Sequence, residues 1–548
     1  MPNAQNFSSV GTRPCTSYPL RRDGGAAWRS VTATAICTGI AAFALATSPE
    51  CRHWFVIPAF ACGLLCCIDG LKLFSDNGRN LFQPAALVGA FGTYFFFVGP
   101  LLHVGRDYWF TTTDYWAPKQ SPEDWRTWLG LMAILNLVGL CVYKLLYEKF
   151  TRLFVKKRSR QFYALDAKAV KSYGLVCSII ILFLQIYVYY HFGGVGSFVQ
   201  SVSDSSLRTG SDFDGLGWLL AIAESFPILF VIMSTVLYKR GFEKMSVLHW
   251  GIYIAGTTVL VLLCGGLRGS RGNTVFTIVY IIGIIHFAVR PLSGRWIMSF
   301  AVVSLFFMYI YGFYKASPGL FSDPAQIVDT LLSPESRANL EQTTHRNFDG
   351  VLMGDLERSD MQAYLLYRMM EDGGSIQYAY GRTYVEGLVD FIPFYILRFR
   401  APGKLLYGTN AVFGEGTYLS RVSVYTKIYG LAGEAMLNFG PYSSPFAFVL
   451  LAAAVGYAGA VNYRLGPSDS RRFLVPILSI TCISVLASDF DNVIFVLLQH
   501  ALIPAVFVMS CSRRVSQRNI YGYSNNGSTR MELRGEGGVR IGAQGVGG

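Results

Sequence analysis

The sequence predicts an all-α, polytopic transmembrane helix bundle of about twelve spans, with one large segment on the non-cytosolic side. Three observations predict it. Of 548 residues, 52% are hydrophobic and only 15% are charged, where a soluble domain carries roughly 25% charged residues. Apolar runs of about twenty residues, the length that crosses a hydrocarbon core, recur along the chain. Short basic connectors separate them.

The runs lie near 29–48, 54–74, 84–104, 127–147, 172–192, 216–238, 246–266, 274–290, 296–314, 445–463, 473–488 and 493–511. With the N-terminus inside, the interior connectors are those near 75–82, 148–171, 239–245, 290–295 and 464–472. They carry about seventeen Lys and Arg, against about six in the short exterior connectors. Shifting the frame by one span would place the most basic connector outside. The expected organisation is a cytosolic segment 1–28, spans one to nine over 29–314, and a large outer loop with interfacial segments over 315–444. Spans ten to twelve follow over 445–511, then a disordered, Gly-rich cytosolic tail over 512–548.

The net charge of +13 sits in short clusters beside apolar runs, such as Lys156-Lys157-Arg158 and Arg513-Arg514. Retention on the cytosolic side explains that placement, and no nucleic-acid partner is expected. Most of the eleven cysteines fall inside apolar runs, among them Cys62, Cys66 and Cys67. No His or carboxylate accompanies them at ligand spacing, so packing is the expected role. Asp69 and Lys72, three residues apart in the second span, are expected to neutralise each other. No metal and no cofactor is expected.

The long segment after Lys315 is acidic first (Asp355, Glu357, Asp360) and then Arg-rich (Arg382, Arg398, Arg400, Arg421). Arginine suits forked recognition of phosphate or carboxylate, and a solvated loop that simply uses Arg is the plainer alternative. Asp390 to Arg400 is too short to span and reads as an interfacial segment. Glu434 stands in an apolar, helix-like stretch at the outer boundary, where poor hydration would raise its pKa. Asn438 follows one turn later, placed to orient a hydroxyl or to cap local backbone. Glu224 lies about two turns inside the sixth span, costly enough there to count as a functional candidate.

Several short motifs fall in a particular order. They are Leu81-Phe-Gln-Pro84, Gly265-Gly-Leu-Arg268-Gly-Ser-Arg271-Gly-Asn273, Tyr380-Gly-Arg382-Thr-Tyr384, Ile392-Pro393, Gly414-Glu-Gly-Thr-Tyr418 and Gly430-Leu-Ala-Gly-Glu434-Ala-Met-Leu-Asn438-Phe-Gly440. Over about residues 80–510, this layout resembles the O-antigen polymerase (Wzy-type) family of oligosaccharide repeat-unit polymerases. Phe394 stands after Pro393, where such proteins often carry Arg.

The resemblance implies a lipid-carrier glycosyltransferase in the bacterial inner membrane, with its large loop in the periplasm. It would polymerise undecaprenyl-diphosphate-linked O-antigen or exopolysaccharide units, alongside membrane lipids, a chain-length regulator and a flippase. Arg268 and Arg271, on one side of a continuing helix, would bind diphosphate, and Glu434 would act as the base. Arg382, Arg421, Asn438, Glu415 and Glu224 would bind substrate. Two other classes share the layout: a glycan ligase, and a transporter of lipid-linked glycan, which would usually build its site midway through the membrane.

Overall fold

The computed structural model describes residues 25–74, 81–109, 121–155, 161–199, 217–268, 271–316, 332–344, 347–371, 376–389, 392, 396–397, 403–420, 427–466 and 469–515. The chain is an all-α multi-pass membrane protein. Among the described residues, eleven helices are long and apolar enough to cross a membrane by length and composition. They are α1 (Ala26–Thr47), α2 (Val56–Phe74), α3 (Pro84–Gly105), α4 (Trp125–Val155), α5 (Ala167–His191), α6 (Trp218–Leu237), α8 (Arg271–Ala288), α9 (Gly294–Tyr314), α15 (Pro441–Arg464), α16 (Ser470–Ala487) and α17 (Phe490–Ser510). A shorter apolar helix, α7 (Val247–Cys264), stands where the seventh span was expected.

Small residues set the packing, as they do where helices associate in lipid. A Cβ on Gly70 would fall 2.9 Å from the Ala90 backbone, so α2 and α3 touch main chain to main chain. On α4, Gly139 meets Phe448 of α15, and Thr151 further along meets Gly456. Both partners advance together, so α4 and α15 run parallel.

Prolines shape the spans. Pro100 has no N–H for the preceding turn of α3, and the ladder widens into a π-turn over Tyr94–Val98. Pro504 stands in the same relation to the π-turn Leu498–Leu502 in α17. In α6 the helix breaks between Ala223 and Phe226, so Glu224 sits at a discontinuity rather than inside a regular span.

At one end of the bundle Asp69 is bound by Lys72 at 2.7 Å, as expected, and by Lys144 of α4, which sequence alone did not link to it. That end also carries the one departure from an all-helical chain among the described residues. Phe162–Leu165 (β1) pairs antiparallel with Ser512–Val515 (β2), with Phe162 opposite Val515. The expected disordered tail therefore begins with four ordered residues, held because β1 supplies the backbone partners; residues 516–548 lie outside the described set.

The 315–444 segment packs on the other end, and it is largely helical where described. It contains α10 (Pro334–Thr344), α11 (Ser359–Glu371), α12 (Arg382–Val389), α13 (Lys404–Phe413) and α14 (Gly430–Phe439). The expected interfacial stretch 390–400 falls almost wholly outside the described residues.

Candidate functional site

α14 is short, apolar and buried, and glycines with positive φ bound it (Gly430 at 69°, Gly440 at 88°). Glu434 lies at its middle, 3% exposed. Thr383 Oγ1 donates to Glu434 Oε1 at 2.7 Å, and the Phe490 N–H donates to Oε2 at 2.6 Å. Asn438, one turn on, donates through Nδ2 to Thr383 Oγ1 at 2.7 Å and to the Glu434 carbonyl at 2.9 Å. Its Oδ1 accepts from the Gly381 N–H at 2.8 Å. Tyr380 (φ 48°) and Gly381 (φ 85°) form the left-handed turn that aims this N–H and starts α12 at Arg382. Asn438 is thus a backbone cap tying α12 to α14, the second of its two expected roles.

Behind Glu434 lies an ion network. Lys404, the first residue of α13, sets Nζ 3.0 Å from Asp489 Oδ2 and 2.8 Å from Asp491 Oδ2. Asp489, wholly buried between α16 and α17, uses Oδ1 to accept the Tyr429 and Gly430 N–H groups, each at 2.8 Å. These are the free donors at the amino end of α14. The Lys404 N–H donates to Glu386 Oε2 of α12 at 2.7 Å. Gly387 lets α12 lie against the start of α17, since a Cβ there would come within 3.1 Å of the Asp491 backbone.

Burial, then the nearby Asp489 charge, pushes the Glu434 carboxyl up to about 8. For Lys404 burial pulls downward, but Asp489 and Asp491 outweigh it, and the ammonium is held well above its ordinary value. The site therefore holds a carboxyl raised by burial next to Asp489, whose own partner is the Lys404 cation.

Arg382 is exposed at the start of α12, next to Thr383, and its Nη1 donates to Tyr407 Oη at 2.9 Å. Among the described residues no carboxylate pairs with it. Glu415 is also exposed, in the turn between Gly414 and Gly416. Arg271 is placed differently. Both its terminal nitrogens bind Asp355, at 2.5 and 2.8 Å, so a carboxylate occupies the fork expected to take diphosphate. The continuing helix expected through Arg268 and Arg271 is not there: α7 ends at Cys264, a 3₁₀ turn covers Gly266–Arg268, and α8 starts at Arg271. The Arg268 side chain and Arg421 lie outside the described residues. Glu224 is buried against Gly265.

Sequence reasoning singled out Glu434, Asn438 and Arg382. It assigned no role to Thr383, Lys404 or Tyr407. No local pattern marks these three, because their partners lie 18 to 87 residues away. It also expected no metal ligands, whereas the fold brings His103, Glu357 and Asp360 together in a buried cluster. No family model matches the chain, and neither a curated protein nor a solved structure is significantly similar to it.

Proposed function

We propose that the chain is a glycosyltransferase that polymerises polyprenyl-diphosphate-linked oligosaccharide units at the outer face of a bacterial inner membrane, as an O-antigen or exopolysaccharide polymerase. One observation carries the reading: an exposed arginine, Arg382, adjoins the residue that covers a buried carboxyl poised near neutral pH. The parallel run of α4 and α15 supports the twelve-span topology. Parallel helices need an odd number of crossings between them. Counting α7, there are five, in keeping with the reading that has the basic connectors in the cytosol and the 315–444 segment with Glu434 outside.

In this reading Arg382 grips the donor diphosphate. The acceptor hydroxyl oxygen bonds to the anomeric carbon, and the bond from that carbon to the diphosphate oxygen breaks with its electron pair on the lipid diphosphate. The hydroxyl proton passes to Glu434. Thr383 shields the carboxyl in the closed state and shares α12 with Arg382, so diphosphate seated on Arg382 would pull on the helix that covers the base.

The test is elongation of defined polyprenyl-diphosphate-linked repeat units by purified full-length protein in detergent. A ladder of products with matching release of polyprenyl diphosphate is expected, slowed at least about tenfold by R382A. Folded protein giving neither ladder nor release would sink the proposal. Transfer only to an added foreign acceptor would replace it with a ligase. With no second compartment present, a pure transporter makes no covalent product.

A further inference from the structure

The outer segment is also pinned to the bundle away from Glu434. His103 stands near the end of α3, and Glu357 and Asp360 flank the start of α11. Their exposures are 0%, 1% and 5%. His103 Nε2 lies 2.8 Å from Glu357 Oε2, and one ligand atom from each of the three residues falls within 4.8 Å of the others. His103 Nδ1 lies 2.6 Å from the Tyr108 carbonyl oxygen, a contact that requires a proton on Nδ1. Glu357 Oε1 accepts from the Ser359 N–H at 2.7 Å, and Asp360 Oδ1 from the Met361 N–H at 2.6 Å. A neutral imidazole with its proton committed to Tyr108 turns a lone pair toward a carboxylate in a buried place. A proton, on the imidazole or on the carboxyl, or a metal ion must lie between them.

We propose that His103, Glu357 and Asp360 bind one divalent cation of the zinc or manganese class, clamping the outer segment to the third span. Mixed imidazole and carboxylate donors suit these ions. One neutral His and two carboxylates cancel a double positive charge. The backbone carbonyl that fixes the His103 tautomer and the amides that orient both acids are the supporting contacts metal ligands usually have. A tetrahedral ion with bonds of about 2 Å holds its donors ~3.3 Å apart, so the His103–Glu357 pair would open by about half an ångström. Lys427 acts electrostatically on Asp360, so the competing species is a proton, with imidazolium on Glu357 and Lys427 balancing Asp360.

The clamp does not rest on the glycan reading, and its test needs no substrate. Full-length protein is purified in detergent without added metal, and its metal content is measured by mass spectrometry after gel filtration. Its melting temperature is followed through chelation and re-addition of Zn²⁺ or Mn²⁺. About one equivalent is expected, with a melting temperature that falls on chelation and returns with one of the two ions. H103Q, E357Q and D360N should each lose the metal. Should these variants fail to fold, titration of the wild type still decides. A metal-free wild type whose melting temperature ignores chelator and both ions overturns the proposal, as does equal metal content in H103Q.

Discussion

Replacing Lys404 with methionine tests whether charge holds the helices around Glu434. The ammonium is buried between Asp489 and Asp491, at 3.0 and 2.8 Å. Methionine keeps a stem of similar length and removes the charge. Asp489, with no exposed surface, would retain the Tyr429 and Gly430 N–H groups on one oxygen and face a methyl group with the other. Breaking a buried pair from one side costs about 3–5 kcal/mol, because the remaining charge is stranded. Asp491, a third exposed, rehydrates and adds little. The expected loss for K404M is therefore about 3–4 kcal/mol. In the K404M/D489N double variant, asparagine still accepts both N–H groups and carries no charge, so it should return to within about 1–2 kcal/mol of wild type. Reversible unfolding in mixed micelles, titrated with a denaturing detergent and followed by tryptophan fluorescence, measures each corner of the cycle. A K404M loss under about 1 kcal/mol, or a double variant no better than the single, would refute the reasoning.

Three further perturbations probe other contacts. The folded Glu434 holds its proton more tightly than the unfolded chain does, so wild-type stability should fall as pH rises from about 4.5 to about 8 and then level off. The bound is on the order of 5 kcal/mol and, with Asp489 sharing the charge, about half is expected. E434Q should flatten that slope in pH-resolved melting, and an unchanged slope would clear Glu434 of it. R271K loses one of the two contacts to Asp355 and should cost about 1 kcal/mol in the same unfolding assay; no loss would mean the paired contact is not formed in solution. G89V places side-chain atoms where a Cβ already falls 2.6 Å from the Gly70 backbone nitrogen. Overpacking of at least about 1–3 kcal/mol should separate α2 from α3, so a wild-type melting curve for G89V would show that this approach is not tight.

The membrane helices were legible because crossing a bilayer is a demand on composition and length alone. The sequence reading and the structure agree to within a few residues at α3, α9 and α15. Glu434 and Asn438 were legible for the converse reason, as two polar groups one turn apart in an apolar stretch. Helices α11, α12 and α13 were not, because short amphipathic helices with polar faces carry no long apolar run. The break in α6 at Glu224 was hidden as well, since the run is apolar on both sides of it. The ionic contacts are hidden by their range. His103 meets Glu357 across 254 residues, and Lys404 meets Asp491 across 87, and nothing in either neighbourhood announces the other.

Those contacts together say how the 315–444 segment is held. It is tied to the end of α3 through His103 and Glu357, to the start of α8 through Arg271 and Asp355, and to the start of α17 through Lys404, Asp489 and Asp491. Each tie joins a charged group of the segment to a helix end, where the bundle is stiff and the backbone has donors or acceptors to spare. A segment fixed at three separate helix ends cannot swing as one flap. Within it α12 is eight residues long, buries Thr383 and Gly387, and meets α14 through Thr383 and the Gly381 N–H. It also meets the third tie, because Glu386 accepts the Lys404 N–H and Gly387 lies against the Asp491 backbone. In the proposed reaction the Glu434 carboxyl would stay dry until Thr383 is displaced, and any shift of α12 would load the Lys404 tie through Glu386.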